Sequence, residues 1–291
     1  MDKQIIIKVQ SGLNNKLLPL LSALRIAIKY NYNIKCFWSN VCMGLIKVKK
    51  GYHFLDFFES IENIDFIDEC EFNKLSKNNN CILHKIDGHN HEAYRKASHI
   101  NDLTKSHIFI NICHVISLKD DNVLNKYIPS RRTYVETCSF TEDFRLYLKY
   151  LKPKKDIIDK INKETLNFND KILGVHVRIT DTPICIGFSG IDYKKSIKYI
   201  ENFLKKNPDW KIYISADCLK VENHFIDKFK EKIIKFNNPF GTHYNDKFNI
   251  NSYDGIKNGI CEMYILSKCS KIIGTPSSSF SLMAWLLSSH K

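Results

Sequence analysis

The sequence predicts an α/β protein of two parallel-sheet units facing across a cleft. Two kinds of observation point there. Short apolar, β-branched runs, such as Ile5-Ile6-Ile7-Lys8-Val9 and Ile172-Leu173-Gly174-Val175-His176-Val177, alternate with segments of helical apolar spacing. Runs this apolar fit strands covered on both faces, as in a parallel sheet. A composition shift at Lys152-Pro153-Lys154-Lys155 then marks a linker between residues 1–152 and 153–291. Strand–helix alternation on either side makes each part Rossmann-like.

In the first part, Ile5 to Val9 reads as a strand and Gln10 to Asn15 as a turn rich in Gly, Asn and Ser. Lys16 to Tyr30 then reads as a helix, with Leu17, Leu20, Leu21, Leu24, Ala27 and Ile28 on its buried stripe. Pro19 falls in the first turn of that helix, where a missing N–H costs little. Ile34 to Trp38 is the next strand. The aromatics Phe54, Phe57 and Phe58 suggest a short amphipathic helix, and Asn63 to Asn80 reads as loop with short elements. Cys81 to Ile86 and His107 to Ile112 read as strands. Asp87 to Lys105, rich in His, Asn and charge, is placed on an acceptor-side surface. Arg131-Arg132 is a solvated face or an aid to holding an anion.

Beyond Phe140 the pattern is more regular. Helices are expected over Phe140–Leu151 and Lys154–Leu166, with Pro153 breaking between them. Strands follow at Ile172–Val177, Lys211–Ser215, Lys232–Phe236 and Lys271–Gly274. They alternate with helices at Asp192–Lys206, around Val221–Phe229, at Gly255–Lys268 and from Ser277 through Leu287. That order describes a parallel sheet with right-handed crossovers.

Composition bounds the partners. A net charge of +13, from 44 Lys+Arg against 31 Asp+Glu, suits nucleic acid, a membrane surface or an anionic small substrate. The lysines are dispersed and the chain is rich in Lys, Asn and Ile, so charge is discounted as a sign of nucleic acid. The ten cysteines include no CxxC pair, and several sit inside apolar runs, so neither zinc nor a disulfide framework is expected. The N-terminus has no signal-peptide core and no apolar run reaches membrane-spanning length. The expectation is a cytoplasmic protein, in a reducing compartment.

Each strand end of the second part carries polar residues. Arg178 and Asp181 follow the first, either as a buried ion pair or as a phosphate site. Ser215 and Asp217 follow the second; Asp217 is either a turn residue or an acceptor for ribose or base N–H groups. Thr275, Ser277, Ser278 and Ser279 follow the fourth, just before a helix. They either cap it or bind phosphate oxygens, and three consecutive serines exceed what a cap needs. Glu262, on an otherwise inward-facing helix, needs a partner, with Arg178 a candidate. In the first part, the Gly12 loop is either a plain tight turn or an anion site at a helix N-terminus.

Taken in order, these segments resemble a known family. Ser11-Gly12-Leu13-Asn14-Asn15-Lys16-Leu17 is similar to a G-G-L-G-N-[RK]-L loop and helix. His176-Val177-Arg178-Ile179-Thr180-Asp181 resembles an H-x-R-R-x-D motif, Ser215-Ala216-Asp217 an A-T-D segment, and Ser278-Ser279-Phe280-Ser281 a closing S-S-F-S. All belong to the GDP-fucose-dependent α1,2-, α1,6- and protein O-fucosyltransferase superfamily. The resemblance implies a metal-independent GT-B glycosyltransferase that moves a deoxyhexose, fucose first, from a GDP-sugar to a glycan or other hydroxyl acceptor. It implies that Arg178 holds the donor diphosphate with Ser277, Ser278, Ser279 and Phe280 around it, and that Asp217 lies near the guanosine. Gly12, Asn14 and Asn15 would approach the pyrophosphate from the other domain. His176 and Asp181, with Arg178, are its candidate catalytic residues. The chain departs from the pattern at Ile179, where the second Arg stands, at Cys218, where a second acid is common, and at Ser11 and Asn14, which replace glycines. Two rivals remain: a non-catalytic nucleotide- or glycan-binding relative, which Ile179 and Cys218 keep open, and a basic nucleic-acid-binding protein on a Rossmann-like scaffold.

Overall fold

A computed structural model describes residues 3–40, 51–77, 81–85, 98–100, 107–112, 116–118, 144–179, 193–236, 252–275 and 278–288. The chain divides into two compact units, Met1–Pro153 and Lys154–Lys291.

The first unit runs β1 (Gln4–Val9), α1 (Leu13–Tyr30), β2 (Asn33–Trp38), α2 (Phe54–Phe57), β3 (Ile64–Ile67), α3 (Glu69–Ser76), β4 (Cys81–Lys85), β5 (Ser98–Ile100), β6 (His107–Ile112) and β7 (Ile116–Leu118). A 3-10 turn, Phe144–Tyr150, stands where a longer helix is expected from sequence; residues 140–143 lie outside the described residues. Five strands pair in parallel in the order β3-β2-β1-β6-β4. The chain therefore adds strands on one side of β1, then turns back and adds them on the other. In open parallel sheets, that reversal opens a crevice at the strands' carboxyl ends. The loop from Ser11 to Gly12 leaves β1 there and leads into α1.

α1 starts at Leu13, one turn earlier than the apolar stripe suggests, because Gly12 takes the extended N-cap conformation (φ −66°, ψ 164°). Pro19 consequently lies inside the helix and not in its first turn. With no N–H, it leaves the carbonyl of Asn15 without its intrahelical donor. The helix ends at Asn31, whose left-handed φ of 56° is a common helix stop. The short elements expected within the polar stretch are β3 and α3, with residues 78–80 outside the described residues. β3 extends the sheet, and Asp68 caps α3 by accepting the Glu71 N–H at 2.7 Å.

The second unit runs α4 (Lys155–Glu164), β8 (Ile172–Val177), α5 (Tyr193–Lys206), β9 (Lys211–Ala216), α6 (Leu219–Phe229), β10 (Ile233–Lys235), α7 (Tyr253–Ser267), β11 (Lys271–Ile273) and α8 (Ser279–Leu287). Its sheet is parallel, ordered β10-β9-β8-β11. Strands are added outward from β8 to β10. The chain then crosses back to place β11 on the other side of β8, so the direction reverses between β8 and β11.

Every residue of β8 is buried, as its unbroken apolar run requires. Leu173, Val175 and Val177 join Ile197, Ile200, Ile212, Ile214, Val221 and Phe225 in one core. Each such side chain contributes about 1.5–3 kcal/mol by leaving water. Gly174 is where α7 comes closest to the strand. A Cβ there would stand 2.7 Å from Leu266 Cδ1 and 3.0 Å from the Cys269 side chain.

Candidate functional site

The ends of β8, β9 and β11 bring three stretches together: His176 to Ile179, Ser215 to Asp217, and Gly274 to Ser281. Hydrogen bonds tie them. The Thr275 hydroxyl donates to the His176 carbonyl at 2.8 Å and accepts the Arg178 N–H at 2.9 Å. It thereby continues the β8–β11 ladder one step past the strands. On the other side, the Asp217 N–H reaches the Val177 carbonyl at 3.2 Å, and Asp217 Oδ1 accepts the Ile179 N–H at 2.9 Å. The backbone of Arg178 is thus pinned from both neighbouring strands, while its side chain stays half-buried at the switch point. Asp217 is a turn residue in this structure, with one oxygen holding the loop that carries Arg178.

Beyond β11, α8 begins at the same crevice. Ser278 occupies its N-cap, yet its side chain accepts no hydrogen bond from the helix. Its hydroxyl is buried, the residue being 1% exposed, and has no hydrogen-bond partner among the described residues. Capping therefore does not account for this serine. An unsatisfied buried hydroxyl costs about 1–3 kcal/mol, so it asks for a ligand. The N–H groups of a first helical turn have no intrahelical acceptors and carry the positive end of the helix dipole. Ser278 Oγ, α8 and Arg178 form a set suited to a phosphate.

His176 lies under this set, 6% exposed. Its ring stacks on Phe280, centroids 4.6 Å apart, and Nδ1 is 2.7 Å from Ser281 Oγ. Burial first, and then the neighbouring Arg178 charge, pull its pKa from 6.5 down to about 3, so the ring is neutral at physiological pH. Ser281 itself accepts the Thr275 N–H at 2.9 Å. Gly274 makes room for it, since a Cβ at 274 would fall 2.7 Å from Ser281 Cβ. Glu262, buried on α7, accepts the Ser215 hydroxyl at 2.7 Å. The structure thus assigns it a β9 partner that residue spacing does not suggest.

In the first unit, α1 carries two buried orphans in its first turn. Among the described residues, Asn14 Oδ1 and Asn15 Oδ1 have no hydrogen-bond partner, although Asn15 Nδ2 donates to Ser11 Oγ at 3.3 Å. A Cβ at Gly12 would meet no atom within 4 Å among the described residues, and its φ is ordinary for any residue. Ser11 holds the strain instead, at φ 78°. Lys16, part of the same loop pattern, is 1% exposed, its ammonium over Trp38 (4.8 Å) and Tyr52 (4.3 Å). A lysine enclosed by rings gives no signal in apolar periodicity and was not anticipated.

Of the expected site residues, Arg178, His176, Asp217, Ser278, Ser279 and Phe280 converge at the β8–β11 reversal, and Gly12, Asn14 and Asn15 gather at the start of α1. Asp181 and Ser277 lie outside the described residues, as do Arg131 and Arg132. Thr275 and Ser281 are the contributors whose roles sequence reasoning missed; only the parallel pairing of β11 with β8 makes them neighbours of His176. Among the described residues, no group of three His, Cys, Asp or Glu could hold a metal ion, and no helix is long and apolar enough to cross a membrane.

No protein-family model and no curated protein sequence matches this chain. Solved structures do. One is NodZ α-1,6-fucosyltransferase soaked with GDP-fucose, at TM-score 0.62 and 18% identity over 99% of this chain and 93% of that one; another is fucosyltransferase NodZ from Bradyrhizobium, at TM-score 0.61 and 17% identity over 99% and 94%. Another is an Arabidopsis thaliana FUT1 variant in complex with GDP, at TM-score 0.56 and 13% identity over 99% of this chain and 68% of that one. POFUT1 in complex with GDP-fucose follows at TM-score 0.50 and 10% identity, covering 98% and 94%. At such identities the likeness is one of fold alone: an α/β chain with parallel sheets.

Proposed function

We propose that the chain is a glycosyltransferase of the GT-B type that moves a deoxyhexose, fucose first, from a GDP-sugar to a hydroxyl acceptor, with no metal. The observation that carries this reading is the orphaned, buried Ser278 hydroxyl at the N-terminus of α8, beside Arg178 at a topological switch point. A diphosphate supplies an acceptor oxygen for the Ser278 hydroxyl, and its charge suits the start of α8 and the Arg178 guanidinium. The fold likeness to proteins solved with GDP and GDP-fucose favours a guanosine donor.

In this reading Arg178 and α8 bind the diphosphate. As the sugar carbon separates from it, negative charge grows on the leaving oxygen. Fixed donors then stabilise the transition state more than the ground state. Thr275 holds the Arg178 backbone and Asp217 its neighbours Val177 and Ile179, so the segment that carries the guanidinium is fixed before the transfer begins. Gly12, Asn14 and Asn15, in the first unit, are assigned to the binding set as well, on the strength of the unsatisfied amide oxygens of Asn14 and Asn15. Asp181, near Arg178 in sequence, remains part of the proposed catalytic set.

Calorimetry with GDP, UDP and dTDP tests the donor. Saturable binding of GDP in preference to the other two is expected, and its absence refutes the reading. Arg178→Ala should lower transfer about 100-fold or more while leaving the fold intact. Full turnover in that variant would remove Arg178 from the site.

A further inference from the structure

We propose that Ser281 is a positioning residue that fixes His176 in one tautomer, with Nδ1 as acceptor and Nε2 carrying the proton. The ring then serves the donor site as a preset N–H donor and not as a proton acceptor. This deepens the nucleotide-sugar reading and rests on it.

The assignment follows from counting protons. A serine hydroxyl has one proton and two lone pairs. Ser281 Oγ gives one lone pair to the Thr275 N–H at 2.9 Å. Its own proton needs an acceptor, and among the described residues the one in reach is His176 Nδ1, at 2.7 Å. Nδ1 is then bare, and a neutral imidazole must carry its proton on Nε2. Nε2 has no hydrogen-bond partner among the described residues.

Everything around the pair is built to hold this arrangement. The Thr275 N–H that orients Ser281 belongs to a residue whose hydroxyl also grips the His176 carbonyl and the Arg178 N–H. Gly274 leaves no freedom for Ser281 to back away, because the two residues pack without space for a Cβ. Phe280 lies on the ring face and sets its plane. The charged group acting on the ring is Arg178, which, with burial, keeps it neutral. A neutral ring with a bare Nδ1 engaged by Ser281 has no free lone pair for an acceptor hydroxyl. The base for the acceptor must be sought elsewhere, and His176 acts on the donor side, with an N–H suited to a phosphate oxygen.

The test is histidine-selective 15N NMR of the free protein, with the His176 signals identified by their loss in His176→Gln. Expected in the wild type are an unprotonated Nδ1 and a protonated Nε2 from neutral pH down to pH about 5. In Ser281→Ala the ring should populate the other tautomer. Wild-type signals showing a protonated Nδ1, or a Ser281→Ala spectrum with the tautomer unchanged, would overturn the proposal. Kinetics add a second readout. A glutamine amide can reach the Nε2 position and an asparagine amide only the Nδ1 position. His176→Asn should therefore lose roughly ten- to 100-fold more kcat/KM for the GDP-sugar than His176→Gln, the worth of one hydrogen bond to a charged group. Equal losses would count against a donor at Nε2. If the chain binds no GDP-sugar at all, the donor reading fails, while the spectra of the free protein still decide the tautomer.

Discussion

Two residues show how local chemistry sets measurable behaviour. Ser11 holds a φ of 78°, a region that costs a side-chain-bearing residue about 1–2 kcal/mol and a glycine nothing. Replacing Ser11 with Gly should raise the free energy of unfolding by about 1 kcal/mol in urea titrations, less the small loss of the Asn15 contact. A drop in stability would mean that the Asn15–Ser11 bond outweighs the strain. His176 acts through pH. Its folded pKa, about 3, lies below the unfolded value of 6.5. Between those values the unfolded chain binds the extra proton, so stability is full above pH 6.5 and falls as the solution is acidified toward pH 3. His176→Gln should flatten that acid limb in a plot of unfolding free energy against pH. An unchanged slope would show that other groups set it.

At the scale of elements, two contacts bear testing because burial and conformation pull in known directions. β8 and α7 approach each other at Gly174, where the neighbours of an added methyl are Leu266 and Cys269. Gly174→Ala should destabilise the second unit by about 1–3 kcal/mol through overpacking. A stability within error of the wild type would show that α7 shifts without cost. The start of α8 behaves the opposite way. Ser278→Ala removes a buried hydroxyl that has no partner among the described residues, so the free protein should keep or gain stability while its affinity for GDP falls. Lower stability with unchanged GDP affinity would make Ser278 a plain structural residue. The two ends of the phosphate set were unequally legible. Arg178 and the serine run stand out in sequence because they interrupt apolar strands and open a helix. Thr275 and Ser281 do not: their hydrogen bonds to Arg178 and His176 depend on a pairing that spans 97 to 105 residues. β3 was obscured for another reason. A four-residue strand with an exposed Asp65 in the middle carries too little alternation to be seen.

For the whole molecule, the second unit was the more readable of the two. Its strands are long enough and apolar enough that alternation with helices emerges, and its sheet follows from right-handed crossovers. In the first unit, turns rich in Asn and Lys dilute the signal, and Pro19 and Lys16 sit inside a helix where neither is the usual choice. If both units belong to one donor-using enzyme, GDP at 100 times its dissociation constant should add about 2.7 kcal/mol to the stability of the unit that binds it. A thermal melt with and without GDP would register that shift, and no shift at saturating GDP would argue that the nucleotide does not bind the native state.

β11 does more than complete a crevice. It is only three residues long and begins at an exposed lysine, Lys271, which makes it a poor template for a stray strand. β8, which it covers, is six residues of buried backbone with no charged side chain. A chain terminated before Lys271 would expose that strand's unpaired N–H and C=O groups along a flat apolar edge. Such a fragment should accumulate as insoluble aggregate where the full chain stays dispersed. The last strand thus acts as a guard for the first strand of its sheet, and truncation at the C-terminus becomes a solubility defect before it is a loss of activity.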